Sequence, residues 1–172
     1  MTDTDENHTG LAVAAATADV FAELVSSATI TEITQGFWDA FLPEDAVLLP
    51  GAALPEIEEV RGHIDIGGSW SGRVEISTSL VAARRIAAAL FGLGADTLEQ
   101  SEVLDALGEL VNVVGGNIKS ILPAPTSLTI PRVADSSGEW RFSALLEREI
   151  ALTWNGEPIV VRVWSTGAAT AS

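Results

Sequence analysis

The chain has 172 residues, a formal net charge of −15 and an apolar content of 47%. This length and this apolar content supply one domain with a buried core, so disorder of the whole chain is excluded. Only nine residues are basic, so nonspecific binding to nucleic acid and docking to anionic lipid both lack the positive charge that they need. We therefore expect neither nucleic acid nor a membrane surface as a partner.

The chain contains no cysteine, which excludes disulfides, thiol catalysis and thiolate metal sites. Its two histidines, His8 and His63, lie far apart in sequence, so we expect no metal site. No apolar stretch approaches the ~20 residues that span a bilayer, and residues 1–8 lack the basic start of a secretion signal. These features predict a cytoplasmic protein.

Small polar residues and alanines dominate both ends of the chain. Such segments bury too little apolar surface to offset the entropy of ordering. We predict a disordered N-terminal segment at residues 1–16, a single domain at 17–165 and a disordered tail at 166–172.

The first third of that domain has helical spacing. Val20, Phe21, Leu24 and Val25 predict one helix. A capping box at Thr29–Glu32 predicts that a second helix begins there, and Pro43 ends it. Residues 43–59 hold three prolines, which predicts an exposed connection with a short strand at 46–50.

Two alternating segments, His63–Ile66 and Arg73–Ser77, flank Gly67–Gly72 and predict an antiparallel hairpin. His63 itself is expected to be structural, and Trp70 in the Gly/Ser turn is expected to be available to a partner. A helix follows the hairpin from about residue 79 to 91, and Gly92 ends it.

The second half of the chain predicts a long helix and then strands. Thr97 and Gln100 form a capping box for a helix at 99–122. Asn155-Gly156 is a strong hairpin signal between the last two strands. The predicted strands lie at 127–131, 139–142, 149–154 and 158–164. This order of elements predicts an α+β fold, a largely antiparallel sheet covered by helices.

The long helix carries a narrow polar stripe. At about 100° per residue, Asp105, Glu109 and Asn112 fall within about 60° of one another, and no apolar residue lies among them. The stripe should therefore face solvent. The apolar side chains gather on the opposite side, namely Val103, Leu107, Leu110, Val111, Val114, Ile118 and Ile121.

An exposed Asp, Glu and Asn are in most proteins only a solvated face. This helix also contains Gly108, Gly115 and Gly116, and a glycine inside a helix costs on the order of 1 kcal/mol relative to alanine. Gly108 and Gly115 lie along one flank of the stripe, where another backbone, from this protein or from a partner, can approach closely. The alternative is that they only let the preceding helix pack tightly.

Asp105-x3-Glu109-x2-Asn112, continuing through Gly116-Asn117, resembles the signature helix of the CheX/CheC family of chemotaxis phosphatases. The hairpin also resembles the family's central hairpin, and the likeness spans roughly residues 28–165. Ala88–Gly92 is similar to the end of the family's next helix, and Ser127–Pro131 to its following strand with a motif proline.

The resemblance implies a phosphatase that hydrolyses the acyl phosphate of a phosphorylated CheY-like response regulator. It implies that Asn112 positions the attacking water and that Glu109 pairs with a lysine of the regulator. Asp105, Gly116 and Asn117 are supporting motif residues. The chain needs no cofactor of its own, because the regulator supplies Mg²⁺. The resemblance also implies a homodimer formed through sheet edges, for which the strand at 158–164 is the expected edge.

Glu32 and Gln35 repeat the acid-plus-carboxamide spacing in an earlier helix. Some members of the family carry two motifs, so this pair is a possible degenerate second site; a single good motif favours a CheX-like over a CheC-like protein. The alternative function is a non-catalytic adaptor or a flagellar-motor switch-type binding module. Such a module would not need the Asp/Glu/Asn spacing.

Overall fold

The computed structural model describes residues 20–43, 46–52, 59–135 and 144–166. The predicted disordered N-terminal segment, residues 167–172 of the predicted tail and the predicted strand at 139–142 lie outside these residues. The domain boundaries stay a prediction.

Among the described residues, seven antiparallel strands form one sheet, whose order is β1-β6-β7-β3-β2-β4, with β5 also paired to β2. The strand at 158–164, expected at an edge, is instead the interior strand β7, because β3 and β6 flank it. The strands are β1 (Leu49–Pro50), β2 (Glu59–Gly68), β3 (Gly72–Ser79), β4 (Thr126–Leu128), β5 (Arg132–Asp135), β6 (Leu145–Trp154) and β7 (Glu157–Ser165).

In the described part of the chain, three complete α-helices pack against the sheet, which confirms the α+β class. They are α1 (Ser27–Phe41), α2 (Leu80–Phe91) and α3 (Gln100–Ile121). A short 3-10 helix, Ala95–Thr97, precedes α3, and residues 20–24 are also helical. The helix α3 contacts both α1 and α2, so it holds the centre of the helical layer.

The predicted helices are confirmed, but two of their caps are not the predicted ones. The N-cap of α1 is Ser26, whose hydroxyl oxygen accepts a hydrogen bond from the Thr29 N–H at 3.1 Å. The capping box of α3 joins Glu99 and Glu102. In both cases a capping residue near the predicted one satisfies the first N–H groups, so the helix starts within three residues of the predicted position.

The predicted hairpins are confirmed. β2 and β3 pair over eight positions, from Glu59 opposite Ser79 to Ile66 opposite Gly72. The second turn places Asn155 at φ 51° and Gly156 at φ 81°. Positive φ at both central residues matches the right-handed twist of the two strands.

Two glycines bring α3 close to the sheet. A Cβ at Gly115 would lie 2.3 Å from Cγ2 of Ile64, and a Cβ at Gly62 would lie 2.8 Å from Cγ2 of Val111. Gly115 is buried and packs on the protein's own strand β2. The close approach expected at Gly115 is therefore made by another segment of this protein and not by a partner. The alternative that this glycine accommodates the preceding helix is wrong, because Ile64 supplies the nearest atoms.

The turn between β2 and β3 is covered by another segment of the same chain. The Trp70 ring stacks on the Phe21 ring with centroids 4.5 Å apart and planes 4° apart. Trp70 is buried. The expectation that Trp70 is available to a partner is therefore wrong, because the helical residues before α1 supply its contact.

The face of the sheet away from α3 carries a row of ionisable side chains. Arg132, His63, Glu75, Arg162 and Glu149 stand opposite one another on five successive strands. Arg162 pairs with Glu149 at 2.7 Å and with Glu75 at 3.5 Å. Opposite charges on neighbouring strands stabilise the register of the sheet.

His63 is buried in this row, which agrees with a structural role. Desolvation by burial and the nearby Arg73 and Arg132 guanidinium groups lower its pKa to about 4, although Asp65 acts in the opposite direction. The imidazole is therefore neutral in the folded protein at neutral pH.

The glycine packing predicts opposite effects at adjacent positions of α3. Gly115→Ala should lower the free energy of unfolding by roughly 1–3 kcal/mol, because the new methyl group meets Ile64 in a filled core. Gly116→Ala should raise it by about 0.5–1 kcal/mol, because the nearest atom is 4.0 Å away and alanine favours the helix. Urea unfolding of both variants measures this difference, and equal effects would contradict the packing.

The low pKa of His63 predicts a loss of stability in mild acid. Since the unfolded chain binds a proton below pH 6.5 and the folded chain only below about pH 4, lowering the pH from 7.5 to 5 should cost about 2 kcal/mol through this residue. His63→Gln should remove that part of the pH dependence and leave the contribution of the carboxylates. Unfolding at the two pH values, compared between wild type and variant, checks the difference.

Candidate functional site

The polar stripe of α3 faces outward, as predicted. Asp105, Glu109 and Asn112 are all exposed. The opposite side of the helix is buried in the core, including Leu107, Leu110 and Val114. Because this buried side fixes the rotation of the helix about its axis, the three polar side chains point away from the sheet.

A groove of about 440 Å³ runs beside the stripe. The segment after β4 forms its second wall with Pro131 and with Val133 of β5. Pro131 is the motif proline of the sequence, and the structure places it at the same groove as Glu109 and Asn112. From α3 the groove is lined by Leu104, Asp105, Gly108, Glu109 and Asn112.

The functional groups of this groove are not used by the fold. Neither the Glu109 carboxylate nor the Asn112 carboxamide forms a hydrogen bond or ion pair with the residues that the structure describes. A carboxylate accepts hydrogen bonds only, whereas a carboxamide both donates and accepts. The pair can therefore bind a cation and orient a water molecule or an oxyanion.

Of the supporting residues, Asp105 lines this groove, whereas Gly116 and Asn117 lie elsewhere on α3. Gly116 is half-buried and lies beside Leu128 of β4, with 4.0 Å between its Cβ position and Cδ1 of that residue. Asn117 lines a different groove, of about 500 Å³, between α1 and α3. Helical geometry accounts for this, since Asn117 is about 140° around the helix from Asn112.

The structure does not bring the possible second site together. Glu32 lines the groove between α1 and α3, where it shares the wall with Asn117. Gln35 does not line that groove, and its Nε2 donates to Oδ1 of Asp39 at 2.7 Å along the same helix. The acid and the carboxamide in that groove thus come from different helices.

Sequence reasoning missed part of the groove. Val133 belongs to β5, a four-residue strand that was not predicted. Its short sequence, Arg-Val-Ala-Asp, has too few alternating positions to distinguish a strand from a loop. Gly108 was recognised, and it does open the groove, because a Cβ there would lie 3.6 Å from Cγ2 of Val133.

No helix in the described ranges is both long and apolar enough to cross a membrane. Within those ranges, no group of three or more His, Asp or Glu side chains is arranged to hold a metal ion. The groups that line the groove are two carboxylates, one carboxamide and apolar side chains.

Several solved structures share this fold. A chain of the CheX–CheY–BeF3–Mg²⁺ complex from Borrelia burgdorferi matches with a TM-score of 0.65 and 18% identity, over 82% of this chain and 97% of that one. CheX from Vibrio vulnificus matches with a TM-score of 0.64 and 18% identity, over 78% and 92%. CheX from Desulfovibrio desulfuricans matches with a TM-score of 0.59 and 16% identity, over 80% and 96%.

No curated protein is significantly similar to the chain in sequence. Residues 60–144, however, match the family model described as chemotaxis phosphatase CheX. This range contains the β2–β3 hairpin, α2, α3 with its polar stripe, and the segment with Pro131. The chain belongs to the CheX/CheC family.

Proposed function

We propose that this protein is a CheX-like phosphatase that hydrolyses the acyl phosphate of a phosphorylated CheY-like response regulator in chemotaxis signalling. The observation that carries this proposal is the placement of Glu109 and Asn112 one turn apart on the rim of one groove, exposed and without a side-chain partner among the residues that the structure describes. Family membership supports a chemotaxis phosphatase role. The compartment we propose is the cytoplasm, with the regulator.

Asn112 is the residue we assign to the attacking water. Its carboxamide oxygen accepts a hydrogen bond from the water, and its N–H groups bind an acceptor on the phosphoryl group or the regulator. The water oxygen attacks phosphorus, the bond between phosphorus and the aspartyl oxygen breaks, and the products are a free carboxylate and inorganic phosphate. Holding the water in line removes much of the entropic cost of this step.

Glu109 is the residue we assign to anchoring the complex. It lies three residues before Asn112, so both side chains project from the same side of α3. A carboxylate in this position can accept a charge-assisted hydrogen bond from the regulator's lysine ammonium group, and exclusion of water strengthens that contact. Asp105, one turn further back, keeps a supporting role at the same groove.

The chain itself supplies no metal in this proposal. A phosphorylated regulator brings Mg²⁺ to its own acyl phosphate, and the solved complex from Borrelia burgdorferi is described with Mg²⁺ and beryllofluoride. The ion supplies charge neutralisation at the phosphoryl oxygens when it is bound. The residues of this chain add water positioning and binding.

Replacing Asn112 should remove catalysis while preserving binding. We expect Asn112→Ala to lower kcat for regulator dephosphorylation by about 100-fold or more, since a water that is no longer held in line reacts slowly. Loss of phosphate from the purified regulator measures this. Asn117→Ala is the matched comparison, because it removes a carboxamide from the other groove and should change kcat less than about fivefold. Wild-type activity in Asn112→Ala, or no acceleration by wild type, would refute the phosphatase; binding without hydrolysis would favour the adaptor.

Replacing Glu109 should weaken binding. Glu109→Gln keeps the shape and removes the charge, so we expect KM for the phosphorylated regulator to rise about tenfold or more, as for loss of a charged hydrogen bond. Asp96→Asn makes the same change of net charge at an exposed site outside the groove and should leave KM unchanged. Equal effects of the two variants would mean that only net charge matters.

We also propose a homodimer formed through sheet edges. Beyond the short strand β1, residues 145–150 of β6 have no strand partner on their outer side among the described residues. Leu145 and Leu146 on this edge are 67% and 41% exposed, and such an edge can pair with a second copy. Light scattering after size exclusion should give twice the chain mass of 18.0 kDa; a single chain mass at micromolar concentration would contradict it.

A further inference from the structure

Ile130 is the most exposed large apolar side chain in the part of the chain that the structure describes, at 84% exposure. It directly precedes Pro131, which lines the groove with Glu109 and Asn112. A large apolar side chain at the rim of a groove gains stabilisation when a partner covers it, and such anchors contribute much of the binding energy of protein interfaces.

A β-bulge sets the position of Ile130. The pairing of β4 with β2 and the pairing of β5 with β2 differ in register by one residue. Ile130 and Pro131 therefore stand together opposite the single residue Ile64. A bulge of this kind turns a side chain away from the regular alternation of the strand. The proline also donates no hydrogen bond, which suits this outer position of the sheet.

The backbone before the bulge is held in place. The Thr129 N–H donates to the Asp65 carbonyl oxygen at 3.0 Å, and the Asp65 N–H donates to the Thr129 hydroxyl oxygen at 3.0 Å. Pairing with β2 resumes at Arg132. Since the segment is pinned on both sides, little conformational entropy is lost when a partner covers Ile130.

The bulge lies beside the middle of the motif. Val133 lies next to Gly108 on α3, and Leu128 lies next to Gly116. The segment thus runs antiparallel to α3, and the bulge falls at the level of Asn112, midway between the two glycines. A molecule that receives Asn112 and Glu109 must therefore pass close to the bulge.

We infer that Ile130 is an apolar docking contact for the same phosphorylated response regulator, and that it contributes affinity rather than chemistry. This inference rests on the proposed function. The net charge of −15 gives long-range attraction only toward a positively charged partner surface. Burial of an aliphatic side chain adjacent to the groove supplies affinity that does not depend on charge.

The test compares kcat and KM for phosphorylated regulator in wild type and two variants. Ile130→Ser should raise KM about tenfold, the loss expected from an isoleucine that becomes buried, and should leave kcat within about twofold. Ile130→Leu should restore most of the affinity. Val47→Ser is the matched control, because Val47 is 56% exposed and precedes β1 at the other end of the sheet; it should change neither constant.

Binding of the regulator treated with beryllofluoride and Mg²⁺ gives a readout that does not need catalysis. Its Kd should rise about tenfold in Ile130→Ser and stay constant in Val47→Ser. If wild type hydrolyses the phosphate but Ile130→Ser matches its KM and Kd, the docking role is overturned and the phosphatase stands. If wild type binds the regulator without hydrolysis, the phosphatase fails and Kd alone decides the role of Ile130. Absence of binding by wild type overturns both.

Discussion

The close approach of α3 to β2 is the constraint on which the rest of the structure depends. Gly115 and Gly62 remove the two side chains that would hold helix and strand apart, and Ile64 and Val111 fill the space. Interiors are packed densely enough that such a contact fixes the rotation of a helix to a narrow range. Since Val114 and Leu110 face the core, helical geometry places Asn112 and Glu109 on the outward side of α3.

The same strand positions both walls of the groove. β2 carries α3 on one face and pairs along its edge with β4 and β5. The positions of Pro131 and Val133 are therefore fixed by β2, and so is the position of Asn112, because α3 packs on the same strand. A site built this way holds its geometry without hydrogen bonds between its functional groups. The polar ends of Glu109 and Asn112 remain available because packing, not hydrogen bonding, positions them.

The ion pairs of the sheet and the polar groups of the groove lie on different faces of the protein. On the far face of the sheet, Arg162 joins Glu75 and Glu149, and Arg73 joins Asp65 through two hydrogen bonds of 2.6 and 3.0 Å. Arg73 and Arg162 thus stabilise the register of the sheet in a chain of net charge −15. The groove side is left with carboxylates, a carboxamide and apolar groups. Recognition there depends on shape and on short-range contacts.

The sequence by itself determined the helices, both hairpins and the outward face of Asp105, Glu109 and Asn112, because period and turn chemistry are local properties. Only the tertiary structure decided which residues form the second wall of the groove beside that face. It separated Asn117 from Asn112, placed the strand at 158–164 in the interior of the sheet, buried Trp70 against Phe21 and formed the bulge at Ile130. Each depends on contacts between residues distant in the chain, which no local pattern encodes.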